Sequence, residues 1–115
     1  MPEQGPSVAE AIEDSSPGLL AVALEGIEEG AVEAGLPRAT ARAFVRQTAL
    51  GTALLLQNHQ GSPADLKDQV ASPGGTTIAG LAVLEDSGVR GAFIRAVEAN
   101  IGNAGPVSPG EGREK

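Results

Sequence analysis

The stretch Ser72–Leu81, SPGGTTIAGL, is the part of the sequence with the clearest capacity for chemistry. A proline and two adjacent glycines precede two threonines, and from Ile78 onward apolar residues recur at helical spacing. Backbone N–H groups at the start of a helix lack partners within the helix and carry partial positive charge. Glycines let a ligand approach that backbone, and threonine hydroxyls can donate further hydrogen bonds. The pattern predicts a seat for a small anion such as a carboxylate.

The same stretch has a simpler interpretation, in which Thr76 or Thr77 caps the helix and the glycines only shape the turn. A phosphate-binding loop is excluded because no Gly-Lys-Ser/Thr follows the glycines and no strand-like run precedes them. Since capping turns are common, the residue types alone favour the cap over the anion seat.

The composition indicates one small domain with a weak core. The chain has 115 residues, 41% of them hydrophobic, but its only aromatic residues are Phe44 and Phe93. A core built from alanine, leucine and valine buries limited apolar area and leaves a small margin of stability. Such a chain often gains stability from a partner subunit.

Charge and cysteine content exclude several classes of function. The net charge is −7 and the eight Lys and Arg residues are scattered, which argues against nucleic acid as a partner. The absence of cysteine excludes disulfides and thiolate metal sites. The N-terminal residues do not resemble a signal peptide and no apolar run is long enough for a membrane span, so a cytoplasmic protein is expected.

The hydrophobic pattern predicts an all-α fold with five helices, because no segment alternates with period two. Residues 1–14 are expected to form a flexible acidic arm, residues 15–100 the helical domain, and residues 101–115, rich in Gly and Pro, a disordered tail. Prolines, glycines and one serine cap mark the helix ends. The predicted markers are Pro17 in the first turn of helix 1 and Gly35 after it, Pro37 opening helix 2, Ser62, Pro63 and Asp65 starting helix 3, Gly75 to Thr77 and Gly88 bounding helix 4, and Val89 to Asn100 as helix 5.

Two rows of charged residues are interpreted as surface rather than as sites. The glutamates of the first helix have the spacing of a two-metal carboxylate site but no Glu-x-x-His element, so a solvated face is favoured and no metal site is predicted. The arginine row of the second helix is interpreted as a solvated or intersubunit face. These rows are Glu25, Glu28, Glu29 and Glu33, and Arg38, Arg42 and Arg46.

Four motifs in register make the chain resemble the C-terminal dimerisation domain of pyrroline-5-carboxylate reductase. The family carries AGLP, Q-T-x-x-G, H-P-A-x-L-(R/K)-D-x-V and S-P-G-G-T-T-I-x-G-L-x-x-L-E. Here these are Ala34–Pro37, Gln47–Gly51, Ser62–Val70 with serine in place of the histidine, and Ser72–Glu85. The resemblance covers about Ser15 to Ala99, and the last motif is highly specific, so it favours the anion seat over the plain cap.

The resemblance implies an interlocked helical homodimer and a role in reducing 1-pyrroline-5-carboxylate to proline with NADPH or NADH. It implies that Ser72, Gly75 and Thr76 hold the substrate carboxylate, and that Thr77 is catalytic, contacting the ring nitrogen and helping to deliver the proton. In the family the coenzyme belongs to a separate nucleotide-binding domain, and the sequence given has no G-x-G-x-x-G turn. These residues alone are therefore expected to bind no coenzyme, to bind substrate or proline weakly, and to have no catalytic activity.

Departures from the family pattern leave alternatives open. Where the family has Ser-Gly-Ser-Gly-Pro-Ala-Tyr, this chain has Ser15 and Pro17 but Leu19 for the tyrosine. One hypothesis is a split or truncated reductase that needs a nucleotide-binding domain in trans. Another is a non-catalytic module that forms mixed dimers with a full-length reductase, and a third is a helical domain without retained function.

Overall fold

The computed structural model of the chain describes residues 7–58, 61–70 and 76–103. In these ranges every regular element is an α-helix, which confirms the predicted all-α class and the five helices. In chain order they are α1 Val8–Glu33, α2 Arg38–Asn58, α3 Pro63–Val70, α4 Thr76–Asp86 and α5 Val89–Asn103.

Helix α1 begins at Val8, inside the segment that the sequence pattern assigns to a flexible arm. A capping box starts it: the Glu10 N–H donates to Ser7 Oγ at 3.0 Å, and the Ser7 N–H donates to the Glu10 carboxylate at 2.9 Å. This reciprocal pair satisfies two N–H groups that would otherwise be unpaired at the helix start. The expectation of a loose arm is therefore wrong for residues 8–14.

Two further boundaries differ from the sequence expectation. Pro17 lies in the interior of α1 and not in its first turn, since the capping box sets the start of the helix at Ser7. Helix α5 continues past Asn100 to Asn103, so residues 101–103 are not part of a disordered tail. The reason is burial: Ile101 is only 7% exposed, and only a continued helix keeps it on the side that packs.

The turn between α1 and α2 is a Schellman motif. The Leu36 N–H donates to the Ala31 carbonyl at 3.1 Å and the Gly35 N–H donates to the Val32 carbonyl at 3.0 Å. Gly35 has φ 122°, a conformation that favours glycine, which confirms its predicted place just after the helix. This turn folds α2 back beside the second half of α1.

The predicted start of α3 and the predicted end of α4 are also confirmed. Ser62 Oγ accepts from the Asp65 N–H at 3.3 Å, while the Ser62 N–H donates to the Asp65 carboxylate at 2.9 Å. Gly88 has φ 71° just beyond the end of α4, and its carbonyl accepts from the Ala92 N–H in the first turn of α5. The serine cap therefore sets the start of α3, and the glycine turn separates α4 from α5, where the sequence predicts.

The chain divides into two units, one with residues up to Val22 and from Gly88 onward, and one with Ala23–Ser87. Very few described residues are buried in either of them. Ala11 and Ile101 are buried in the first unit, and Ala41 and Val45 in the second. The core is therefore small, and most large apolar side chains of the described residues remain in contact with solvent.

Candidate functional site

The first turn of α4 contains Thr76 and Thr77, the two residues of the predicted substrate seat that the structure describes. Both are exposed, and they lie next to each other at the helix start. Ser72 and Gly75, the other two residues of the predicted seat, lie outside the described residues. The helix start predicted at Gly75 to Thr77 is confirmed at Thr76.

The electrostatics of this helix start suit a small anion. The first N–H groups of α4 have no acceptor within the helix, and the helix dipole adds partial positive charge there. No acidic side chain lies in the first turn of α4, in contrast to α1 with Glu10 and α3 with Asp65. A carboxylate bound at the start of α4 would therefore meet no like charge from the first turn of that helix.

Helix α4, which begins at the predicted seat, has no buried residue of its own. Its apolar side chains are largely accessible: Ile78 is 42%, Val83 is 62% and Leu84 is 46% exposed. Large apolar groups on several faces of one helix are typical of a helix enclosed by other elements. No other described element of the chain encloses α4 in this way.

A cavity of about 180 Å³ lies between the second half of α1 and the first half of α2. Its lining is apolar apart from one threonine hydroxyl. Phe44, which forms part of this lining, is 59% exposed. One face of α2 is buried only at Ala41 and Val45, whereas Thr48, Thr52 and Leu55 on the same face are exposed. Among the described residues, only the first turns of this face are therefore buried. The cavity is lined by Leu24, Ile27, Ala31, Leu36, Ala41, Phe44, Val45 and Thr48.

The other unit has an apolar groove of about 270 Å³ between α1 and α5. It is lined by leucine, valine and alanine side chains, with Phe93 as the one aromatic residue. Phe93 is 36% exposed, so this groove is also open to solvent. The lining residues are Leu19, Val22, Val89, Ala92, Phe93 and Ala96.

An ion-pair cluster ties α1 to the start of α2. Arg38 contacts Glu29 at 2.7 Å and Glu28 at 2.9 Å, and Arg42 contacts Glu28 at 3.3 Å. The hydrogen bonds from Arg38 are the main reason that the pKa values of both carboxyls lie below their ordinary value. The same contacts raise the pKa of Arg38, so the cluster stays fully charged at neutral pH.

This cluster refines the interpretation of both charged rows. Arg38 and Arg42 contact glutamates of the same chain, so this part of the arginine row is an ion-pair surface between two helices. The sequence contains a signal for this contact, because Glu28 and Arg38 have opposite charges and stand on either side of a predicted tight turn. Among the described residues no group of three or more His, Asp or Glu side chains could hold a metal ion.

A family model described as pyrroline-5-carboxylate reductase dimerisation matches residues 3–105. The chain belongs to this family. It is 48% identical over 99 residues to the pyrroline-5-carboxylate reductase of Synechocystis sp., a match that covers 86% of this chain and 37% of that protein. It is 39% identical over 98 residues to the enzyme of Kluyveromyces lactis, covering 85% of this chain and 34% of the relative.

Solved structures of the pyrroline-5-carboxylate reductase family have the same fold. The pyrroline carboxylate reductase of Plasmodium falciparum with NADP bound matches with a TM-score of 0.79 and 30% identity, covering 84% of this chain and 39% of that chain. The reductase of Coxiella burnetii matches with a TM-score of 0.79 and 34% identity, covering 84% and 36%. The chain therefore spans less than two fifths of the length of these relatives.

The described ranges of this dimerisation domain contain no strand–turn–helix unit of the kind that holds a dinucleotide coenzyme. Such a coenzyme binds to a strand, a glycine-rich turn and a helix, and the described ranges contain helices only. In the described part of the chain, none of the helices is long and apolar enough to cross a bilayer.

Proposed function

We propose that this chain is the self-associating and substrate-holding part of a pyrroline-5-carboxylate reductase. In this proposal two copies of the chain share one hydrophobic core, and the start of α4 holds the carboxylate of 1-pyrroline-5-carboxylate.

The observation that carries the self-association is the exposure of the large apolar side chains. Leu20, Ile27 and Phe44 are each more than half exposed, as are Leu50 and Leu55, whereas the buried core among the described residues has only four members. An apolar surface of this kind usually marks an association site. Since the chain belongs to a dimerisation family, a second copy is the partner that supplies the missing contacts.

We infer that α4 of each copy fills the α1–α2 cavity of the other. The apolar side chains of helix α4 are not buried within the described residues, and the α1–α2 cavity is lined by apolar side chains that are open to a partner. In a two-fold symmetric dimer each copy both donates its α4 and receives the partner's, so the same contact forms twice. Such an exchange would also hold α4 in one position, and with it the residues of the substrate seat.

The substrate seat rests on the residues at the start of α4. The backbone N–H groups there, with Ser72, Gly75 and Thr76, would hold the carboxylate of the cyclic imine. The Thr77 hydroxyl would contact the ring nitrogen and help to place a proton on it. The hydride of this reaction comes from a nicotinamide coenzyme, and the described residues are assigned no contact with it. That coenzyme would need a nucleotide-binding domain, either attached or supplied in trans.

Calorimetric titration with proline tests the seat. We expect weak binding by the native chain and none by Thr77→Val, because valine keeps the shape of threonine and removes the hydroxyl. Thr40→Val is the matched control, since Thr40 is exposed in the first turn of α2 and belongs to no predicted site. Equal binding by the native chain and Thr77→Val would contradict the assignment.

A mixed dimer with a complete reductase is a second candidate, favoured by the 48% identity that this domain shares with a full-length relative. The surface used would be the same, because α4 and the α1–α2 cavity are both present in this chain. Co-purification of a tagged chain with the full-length reductase of the same cell tests it. Failure to recover the reductase at concentrations where the chain self-associates would exclude this candidate.

A further inference from the structure

Three features that weaken a helix occur together in one turn of α1. Pro17 has no N–H, so the Glu13 carbonyl lacks its usual helical donor. The next residue is Gly18, which lowers helix stability through backbone entropy. Ser15 Oγ donates to the Ala11 carbonyl at 2.8 Å, a contact that often bends helices.

The segment before this turn is well held. The capping box of Ser7 and Glu10 closes its start, and the Ala11 N–H donates to the Ser7 carbonyl at 3.0 Å. Ala11 is also one of the buried residues, with 6% exposed. These contacts make the first turns of α1 a stable piece of helix and not a fraying end.

The segment after this turn is held as well. The Schellman turn closes the end of α1, and Glu28 and Glu29 are tied to Arg38 of α2. In contrast, apart from the chain neighbours of Gly18 and the nearby backbone of α1 itself, no described atom lies within 4 Å of the position that a Cβ would take on Gly18. The weak turn is therefore flanked by two stabilised segments and has free space at its glycine.

We propose that residues 15–18 are a hinge within α1, about which the segment 8–14 changes direction relative to the segment 19–33. Prolines and serine–glycine pairs are the usual causes of a directional change in a helix. The longer relatives match this chain with their C-terminal part, so their preceding residues join the dimerisation domain through this helix. In such a protein the hinge would let the preceding part move while the shared helical core stays fixed.

Residue-resolved amide hydrogen exchange on the dimeric chain tests the hinge. We expect a local minimum of protection at residues 16–20, with exchange at least tenfold faster there than at residues 11–13 and at residues 24–31. Simple fraying predicts instead that protection rises steadily from residue 8 onward. A steady rise, or uniform protection through residues 11–31, would overturn the proposal.

Two substitutions complete the test. Pro17→Ala restores the missing hydrogen bond and should slow exchange at residues 18–20 by about a hundredfold, the scale of a proline effect inside a helix. Ser16→Ala is the matched control, which restores no hydrogen bond and should change exchange less than about threefold. If Pro17→Ala leaves the minimum in place, or Ser16→Ala removes it as fully, residues 15–18 are not a hinge set by the proline.

Discussion

Replacing Phe44 with alanine distinguishes a shared core from a core that belongs to one chain. In the single chain Phe44 lines the α1–α2 cavity and is 59% exposed, so about two fifths of its surface is buried by other residues of the chain. A phenylalanine buries about 150–250 Å² when enclosed, and full removal from a core costs about 3–5 kcal/mol. For an isolated chain we therefore expect a loss of only about 1–2 kcal/mol, in proportion to the buried part.

If the core is shared, Phe44→Ala also lowers the free energy of association between the two chains. If the partner covers the exposed part of Phe44, at least about 2 kcal/mol more is lost per copy, and a symmetric dimer contains the substitution twice. Because about 1.4 kcal/mol corresponds to a tenfold change, the dimer Kd should rise on the order of a thousandfold.

The assay is sedimentation over a dilution series, combined with urea unfolding at fixed protein concentration. Val45→Ala is the matched control on the same helix, because Val45 is already buried within the chain, with 7% exposed. It should cost about 1.6 kcal/mol of folding free energy, the value of two methylene equivalents, and raise Kd far less than Phe44→Ala does, because it removes no contact with the partner. A Phe44→Ala protein with the native Kd would refute the reasoning that the partner covers this side chain.

Three further predictions concern activity and pH. These 115 residues alone should not oxidise NADPH in the presence of 1-pyrroline-5-carboxylate, and consumption above blank by protein free of host reductase would contradict this. With a nucleotide-binding domain supplied in trans, Thr77→Val should abolish reductase turnover without changing the helical circular dichroism, and full turnover would exclude the proposed proton-delivery role. The lowered pKa values of Glu28 and Glu29 mean that their ion pairs stabilise the fold above about pH 4.5 and lose that contribution as the pH falls through the lower folded values. Arg38→Met should therefore flatten the fall of the free energy of unfolding between neutral and acidic pH, and an unchanged slope in urea titrations would show that the cluster adds nothing.

Local rules predicted most helix ends in this chain. Gly35, Gly88 and Ser62 occupy their predicted positions because each satisfies a hydrogen-bonding or φ requirement that is visible in a few neighbouring residues. The start of α1 was missed, although Ser7 and Glu10 have the spacing of a capping box, because Pro17 was interpreted as a first-turn proline. When two start signals compete, a box with two satisfied N–H groups is stronger than a proline that is only tolerated.

Burial was harder to predict than secondary structure. The apolar residues of α2 recur at helical spacing from Ala41 and Val45 to Leu55, but this pattern does not say whether their neighbours come from the same chain or from another. Leu55 lies on the same face as Ala41 and Val45, yet it is 56% exposed.

The ion pair between Glu28 and Arg38 was missed for a related reason, since a contact across a turn depends on the packing of two helices and not on spacing within one. Of the seat, Thr76 and Thr77 stand at the predicted helix start, and their roles remain predictions.

The central claim, that two copies share one core, is tested most directly by mass and melting temperature measured together. Light scattering should give the mass of two chains, twice the 11.5 kDa of one. The thermal midpoint should rise with protein concentration, because folding and association are coupled in a shared core. A mass of one chain together with a melting temperature that does not change over a hundredfold range of concentration would contradict the account.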